Sequence, residues 1–144
     1  MVGLSLGASL AYSLLENPPQ NLKGIIACAG QYKLLGNLPY SLQKWYFKLM
    51  PRSAFVKVGF DKKNLIQFYE SMLELDLTNI LEKSHLPVWS VCGQKDLFNL
   101  KPSRRVAEMV PNGLYQMIPD SGHLLTDDAP DALVTIIREF INKL

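Results

Sequence analysis

Three short runs of apolar residues, each closed by a glycine or a proline, are the strongest constraint on how this chain folds. They occupy residues 24–29 (GIIACA), 87–92 (PVWSVC) and 114–118 (LYQMI). Strands that are buried on both faces of a parallel sheet have continuous apolar runs of this kind, whereas half-exposed strands alternate between apolar and polar residues. The runs therefore predict three strands of a buried, mostly parallel sheet.

Helical patterns separate and follow these runs. Residues 6–15 are rich in Ala and Leu and precede two prolines, which end a helix. Residues 103–110 are predicted to form a second helix. Asp128 is predicted to cap a last helix that has Pro130 in its first turn. The apolar stripe of that last helix is Leu133, Ile136, Ile137, Phe140 and Ile141. This alternation predicts an α/β fold in which helices flank a parallel sheet.

Residues 31–84 interrupt the alternation, because they contain helical patterns and no clear strand pattern. The stretch is far longer than a crossover between parallel strands needs. We therefore predict that residues 1–30 and 85–144 form the core and that residues 31–84 form a helical cap. An ordinary crossover packed on the sheet is the alternative. In a cap, aromatic and Met side chains line an apolar substrate pocket, and the candidates are Trp45, Tyr46, Phe68, Tyr69 and Met72.

The pentapeptide Gly3-Leu4-Ser5-Leu6-Gly7 fits the pattern G-x-S-x-G, in which a sharp strand-to-helix turn exposes a serine as a nucleophile. Gly3 and Gly7 suit such a turn, because glycine tolerates strained backbone angles and allows a helix to approach neighbouring backbone closely. The pattern is weak evidence when it stands alone. An ordinary helix start that Ser5 caps is the alternative interpretation.

Two further residues each follow a predicted strand. Asp96 comes after the strand at 87–92, and His123 comes after the strand at 114–118. Because ligands bind at the carboxyl edge of an open parallel sheet, Ser5, Asp96 and His123 are expected to face the same way. Taken singly, Asp96 suits a loop or turn and His123 suits a packing role. Their order along the chain and their positions after strands favour a shared site.

The chemistry of these residue types is complementary. A serine hydroxyl is a weak nucleophile near neutral pH and needs a base, and the imidazole of His123 is the candidate. Asp96 would fix the tautomer of that imidazole and stabilise its protonated form. The backbone N–H of Leu6, at the helix start, could donate to a developing oxyanion.

With these residues in place, the sequence resembles the α/β-hydrolase superfamily. The resemblance lies in the pentapeptide at residues 3–7, in residues 87–96 and in residues 120–123, and it is loosest across the cap. It implies a hydrolase of the esterase or lipase kind that cleaves an ester or related acyl bond without a cofactor. By position it makes Ser5 the nucleophile, Asp96 the acid and His123 the base, with Leu6 as one oxyanion donor.

Only two residues precede the pentapeptide, whereas several strands precede it in the superfamily. We therefore expect the C-terminal half to two-thirds of a hydrolase, with weak activity or none. The strand at 24–29 is then expected to present an unpaired edge through which the chain associates with itself. The alternative function is a non-catalytic binding or interaction module that a partner chain completes.

Composition narrows the function classes further. The net charge of +2 is too small to favour nucleic acid or a membrane surface, and no apolar run reaches the ~18 residues of a membrane span. Cys28 and Cys92 are expected to be reduced, buried thiols, with no disulfide and no metal site, which together with the absence of a signal peptide favours the cytoplasm. His85 is expected on a surface loop. The partner that the resemblance implies is a small-molecule acyl or ester substrate.

Overall fold

The computed structural model describes residues 1–57 and 59–144. The chain divides into two compact units. The first unit combines Met1–Tyr32 with Leu77–Leu144, and the second unit is Lys33–Asp76. The second unit is shorter at both ends than the segment 31–84 for which we predicted a cap.

Four strands and eight helices follow one another along the described residues. In chain order they are β1 (Val2–Leu4), α1 (Leu6–Ser13), β2 (Ile25–Cys28), α2 (Leu38–Leu49), α3 (Arg52–Val56), α4 (Lys62–Leu73), α5 (Thr78–Glu82), β3 (Val88–Gly93), α6 (Leu97–Met109), β4 (Gly113–Ile118), α7 (Leu125–Asp128) and α8 (Pro130–Asn142).

All four strands pair in parallel, in the order β1-β2-β3-β4. Every residue of β2 and β3 is buried, as the continuous apolar runs predict. For β4 this prediction is wrong, because β4 lies at the edge of the sheet and only its last residue, Ile118, is buried. The predicted parallel sheet flanked by helices is therefore confirmed. Because the strands point the same way, their carboxyl ends lie along one edge of the sheet.

The prediction that residues 24–29 form an unpaired edge is wrong. β2 lies between β1 and β3, and Ile26 pairs with Val2 on one side and with Trp89 on the other. Three residues are enough for β1 to pair, and the edge that no other described strand covers belongs to β1. So short a strand carries too little sequence to be recognised from its pattern.

One face of the sheet packs against α8. Leu133, Ile136 and Phe140 are buried in this core, and the rings of Phe140 and Trp89 meet edge to face at 5.2 Å. Full burial of such a side chain contributes roughly 1.5–3 kcal/mol. Ile141, which we predicted to share the buried stripe, is 60% exposed because it lies at the rim of that helical face.

Helix α6 begins at Leu97, six residues before the predicted start, and it contains Pro102. Proline inside a helix leaves the carbonyl four residues earlier without its N–H donor. That carbonyl belongs to Phe98, and it accepts a hydrogen bond from Gln31 Nε2 at 3.3 Å instead. The tertiary contact offsets part of the cost of the proline, and no local pattern could predict it.

The predicted capping of the last helix by Asp128 is also wrong. Asp128 ends α7, and Ala129, with a φ of −151°, is the residue before α8. The Asp128 carboxylate accepts the N–H of Gly122 at 2.7 Å. Pro130 does occupy the first turn of α8, as predicted.

The two glycines of the pentapeptide have different surroundings. A Cβ on Gly3 would overlap the carbonyl of Gly7, so Gly3 permits the close approach of β1 to α1. A Cβ on Gly7 would meet no atom of the described residues within 4 Å. The strained backbone angle lies at Ser5, whose φ is 54°, and not at either glycine as we expected.

The second unit consists of α2, α3 and α4. Phe47 packs edge to face against Tyr69 at 5.2 Å and against Phe55 at 6.2 Å between ring centres. Lys33 and Asp76, at the two ends of the unit, form an ion pair at 2.7 Å. None of the described helices of the chain is long and apolar enough to cross a membrane.

Substitution of the two glycines separates these roles. Gly3→Ala is expected to lower the free energy of unfolding by about 1–3 kcal/mol, because the atoms that the new Cβ would overlap are backbone atoms of α1 and cannot move aside easily. Gly7→Ala is expected to leave stability unchanged or to raise it by up to ~1 kcal/mol, because alanine favours the helix. Urea denaturation followed by circular dichroism measures both. Equal losses in the two variants would contradict the assignment.

The thiols offer a second check. Cys28 and Cys92 are free and buried, as predicted, and burial raises the pKa of the thiols to about 12 and about 11 respectively. The thiolate is the reactive form, so a raised pKa suppresses reaction at mildly alkaline pH. We expect Ellman's reagent at pH 8 to modify neither thiol in the folded protein and both thiols after denaturation. Rapid modification of either thiol in the folded protein would contradict this.

Candidate active site

Each strand delivers one polar residue to the carboxyl edge of the sheet. Ser5 follows β1, Gln31 follows β2, Asp96 follows β3 and His123 follows β4. The backbone pairing continues past the strands, so the loop starts are fixed as well. The hydrogen bonds that extend it are Ser5 N to Cys28 O at 2.8 Å, Ala29 N to Val91 O at 2.8 Å and Gln94 N to Ile118 O at 2.9 Å.

Ser5 occupies the sharp turn between β1 and α1. Its φ of 54° and ψ of −116° are strained for a residue with a side chain, which costs roughly 1–3 kcal/mol. The carbonyl of Ser5 accepts from the N–H groups of Ala8 at 3.0 Å and Ser9 at 3.2 Å. The Ser5 side chain forms no cap of α1, contrary to the alternative interpretation of the pentapeptide.

The three side chains that the sequence singled out lie in one row. Ser5 Oγ is 3.0 Å from His123 Nε2, and His123 Nδ1 is 2.7 Å from Asp96 Oδ2. Asp96 is 7% exposed, whereas the side chain of His123 is 42% exposed. A neutral imidazole that donates from Nδ1 to the carboxylate keeps its Nε2 lone pair for the serine hydroxyl.

Two residues that the sequence analysis missed stand behind the carboxylate. Asn99 Nδ2 lies 2.8 Å from both oxygens of Asp96, and Gln31 Nε2 donates to Asn99 Oδ1 at 2.7 Å. One signal could have identified Gln31, because it follows its strand as the other site residues do. Asn99 lies three residues after Asp96, but its contact depends on where α6 begins.

The backbone of Leu6 is available at the same turn. Leu6 is the first residue of α1, so the helix provides no partner for its N–H group. The N-terminus of a helix also bears partial positive charge. The predicted oxyanion donor therefore lies next to Ser5 in the chain, with the polarity that an anion requires.

The loop that carries His123 is tied down on two sides. The Lys95 N–H donates to the Ser121 carbonyl at 2.8 Å, and Asp128 accepts from Gly122. A Cβ on Gly93 would overlap the Gly122 carbonyl, so only glycine permits this approach of β3 to the loop. These contacts restrict where the imidazole can lie.

The predicted substrate-contacting residues belong to the second unit. Trp45 and Tyr46 on α2 are 62% and 61% exposed, and Phe68 on α4 is 46% exposed. Tyr69 and Met72, also on α4, are half-buried. Tyr69 donates to Gln43 Oε1 at 2.7 Å, and burial raises the pKa of its phenol. That these side chains contact a substrate stays a prediction.

Two other predictions concern His85 and metal binding. His85 is exposed on a loop, as predicted. Among the described residues, no group of three or more His, Cys, Asp or Glu side chains is arranged to hold a metal ion.

No protein-family model matches the chain. One curated relative is the protein RutD of Caulobacter sp., which is provisionally named a carbamate hydrolase. It is 34% identical over 74 residues, which cover 51% of this chain and 28% of the relative. The chain thus matches a little over a quarter of that relative's length.

Solved structures match along nearly the whole chain. An enol-lactonase from Burkholderia xenovorans is 15% identical with a TM-score of 0.80, over 98% of this chain and 64% of that one. A thermophilic esterase from Thermogutta terrifontis is 19% identical with a TM-score of 0.71, over 99% of this chain and 64% of the esterase. A bromoperoxidase from Bacillus anthracis is 14% identical with a TM-score of 0.73, over 98% of this chain and 66% of the bromoperoxidase.

These neighbours have the α/β-hydrolase fold, and four parallel strands flanked by helices reproduce part of it in this chain. The predicted resemblance to the α/β-hydrolase superfamily is therefore confirmed at the level of fold. The chain spans just under two thirds of the length of these three solved structures.

The bond between Asp128 and Gly122 makes a specific prediction about the His123 loop. In Asp128→Ala the Gly122 amide loses its acceptor and is expected to exchange with deuterium about 5-fold faster, which corresponds to one typical hydrogen bond. Asp127→Ala is the matched control, because Asp127 is an exposed neighbour on the same helix. Amide exchange followed by NMR measures both. Equal exchange rates in the two variants would contradict the role of Asp128.

Proposed function

We propose that this chain carries the catalytic residues of a serine hydrolase that cleaves an ester or related acyl bond. Ser5 is the nucleophile, His123 the general base and Asp96 the acid of a Ser-His-Asp triad. The observation that carries the proposal is the unbroken row of contacts, at 3.0 Å from Ser5 Oγ to His123 Nε2 and at 2.7 Å from His123 Nδ1 to Asp96 Oδ2.

The first step transfers a proton and forms a bond. As Ser5 Oγ attacks the carbonyl carbon of the substrate, its proton passes to His123 Nε2. The imidazolium that forms is stabilised by the carboxylate of Asp96. Burial of Asp96 supports this role, because charges interact more strongly where water is excluded.

The attacked carbonyl oxygen becomes an oxyanion, which requires donors. The Leu6 N–H, at the start of α1, is the donor that we assign, and the positive end of the helix dipole assists it. A single donor of this kind typically contributes about 10²–10³ in rate.

The second half of the reaction releases the acyl group. The tetrahedral intermediate collapses, and the leaving group takes the proton from His123 Nε2, which leaves an acyl-enzyme on Ser5 Oγ. Water then gives a proton to the same nitrogen and attacks the acyl carbon. The acid product departs, and Ser5 regains its proton from His123.

The names of similar proteins suggest the class of substrate. They include an esterase, an enol-lactonase and a provisional carbamate hydrolase. Esters, lactones and carbamates share a carbonyl carbon that bears an oxygen or nitrogen leaving group, and we propose a substrate of this class. The exposed aromatic side chains of Trp45 and Tyr46 are candidate contacts for an apolar acyl or alcohol group.

A fluorophosphonate probe tests the proposal, because it reacts with an activated serine. We expect the wild-type protein to be modified at Ser5 and Ser5→Ala not to be modified. His123→Ala and Asp96→Asn are expected to slow the reaction by about 10³-fold or more, because the hydroxyl loses its base or the imidazole its correct tautomer. Peptide mass spectrometry locates the modification.

Ser13→Ala is the matched control, because Ser13 is an exposed serine at the end of the same helix. It is expected to react like the wild type. A folded wild-type sample that does not react at Ser5 would contradict the proposal and would favour a non-catalytic binding module.

A further inference from the structure

Asp96 occupies an unusual position for a residue whose carboxylate faces a histidine. It is the N-cap of α6, where a carboxylate ordinarily accepts the N–H of the second or third helical residue. The Asp96 side chain forms no such bond. Its backbone carbonyl accepts from Asn99 N at 3.0 Å and Leu100 N at 3.1 Å, so the backbone N–H groups of α6 bind this carbonyl and not the carboxylate.

The side-chain amide of Asn99, and not a backbone N–H of α6, donates to the Asp96 carboxylate. Asn99 Nδ2 lies 2.8 Å from each carboxylate oxygen of Asp96 and 3.3 Å from His123 Nδ1. Asn99 is 5% exposed and Asp96 is 7% exposed, so water has little access to either group. The side-chain amide thus provides a buried donor that competes with the backbone N–H groups of α6 for the carboxylate.

Gln31 determines which way the Asn99 amide points. Gln31 Nε2 donates to Asn99 Oδ1 at 2.7 Å, which leaves Asn99 Nδ2 facing the carboxylate. If the amide were reversed, an oxygen would face the oxygens of Asp96, and neither side could donate.

Gln31 is itself held at both ends. Its Nε2 also approaches the Phe98 carbonyl at 3.3 Å, the group that Pro102 leaves without a helical donor. Its backbone carbonyl accepts from Ser9 Oγ at 2.6 Å. The loop after β2 is therefore connected to α1 and to α6 on either side of the site.

We propose that Asn99, oriented by Gln31, is a positioning residue that keeps the Asp96 carboxylate from capping the backbone N–H groups of α6 and holds it against His123. The inference deepens the proposed function and rests on it for the catalytic consequence. Without the Asn99 amide, the carboxylate turns to cap α6, and the His123 imidazole loses its acceptor.

Four variants test this inference. Asn99→Leu removes the donor at similar size. Gln31→Glu keeps the shape but places a carboxylate where a donor stood, so the Asn99 amide reverses and presents its oxygen to Asp96. Gln31→Met removes the orienting bond without reversing the amide, and a smaller effect is expected. Asn142→Leu, at an exposed position at the end of α8, is the matched control.

The first readout does not depend on activity. In protein with 15N-labelled histidine, an imidazole N–H that donates to a buried carboxylate gives a proton signal far downfield of the amides. His123 is expected to give this signal in the wild type and in Asn142→Leu, and to lose it in Asn99→Leu and Gln31→Glu. His85 is the second histidine, and its exposed ring serves as the internal control.

The second readout is the rate of fluorophosphonate modification of Ser5. We expect it to fall roughly 10-fold to 100-fold in Asn99→Leu and Gln31→Glu, the range that small misplacements produce. Circular dichroism should show that α6 persists, because the freed carboxylate caps it. If Asn99→Leu fails to fold, the isosteric Gln31→Glu decides.

The outcomes separate the two proposals. Loss of the His123 signal in both variants, with no serine modification in any sample, would support the positioning role and contradict the proposed function. A His123 signal that is absent from the wild type, or that persists with an unchanged modification rate in both variants, would overturn the positioning role.

Discussion

Parallel pairing of four strands is the constraint on which the rest of the structure depends. Ser5 and His123 are 118 residues apart in the chain, yet their side chains approach to 3.0 Å. In a parallel sheet every strand ends at the same edge, so the four loops after the strands become neighbours. The backbone hydrogen bonds of the sheet continue into the first residues of those loops. They fix the positions of the loop residues relative to one another.

The parallel sheet brings the site residues close together, whereas the hydrogen bonds among Gln31, Asn99 and Asp96 orient the side chains. Asp96 is the N-cap of α6, a position where backbone N–H groups of the helix ordinarily bind the carboxylate. Here the side-chain amide of Asn99 binds it instead. Gln31 orients that amide by donating to Asn99 Oδ1. The same nitrogen of Gln31 also approaches the Phe98 carbonyl, which Pro102 leaves without a helical donor. In the arrangement that we propose, the row from Ser5 to Asp96 therefore depends also on Asn99 and Gln31. The strained backbone of Ser5 is held by hydrogen bonds of both its N–H group and its carbonyl.

The sequence predicts the parts of this arrangement that local patterns encode. Continuous apolar runs indicated β2, β3 and β4, and the positions of Asp96 and His123 after strands indicated the edge on which they meet. The start of α6 at Leu97 was not predicted, because a proline inside a helix is unfavourable and the carbonyl that Pro102 frees is bound by Gln31, which is distant in the sequence.

Other features depend on contacts across the fold and could not be predicted. The contact of Asn99 with Asp96 depends on the true start of α6, and Asp128 accepts from Gly122 while Ala129, not Asp128, is the N-cap of α8. β1 is too short to be recognised by its pattern, and only its pairing with β2 identifies it. Periodicity thus predicted the scaffold, and tertiary hydrogen bonds decided the details of the site.

Trapping an acyl-enzyme would test most directly whether Ser5, placed beside His123 at the carboxyl edge of the sheet, is an activated nucleophile. Protein mixed briefly with p-nitrophenyl acetate and quenched in acid can be digested and analysed by mass spectrometry. We expect one acetyl group on the peptide that contains Ser5, formed only when the protein is folded. Acetylation of surface lysines alone, or equal acetylation of Ser5 in denatured protein, would contradict it.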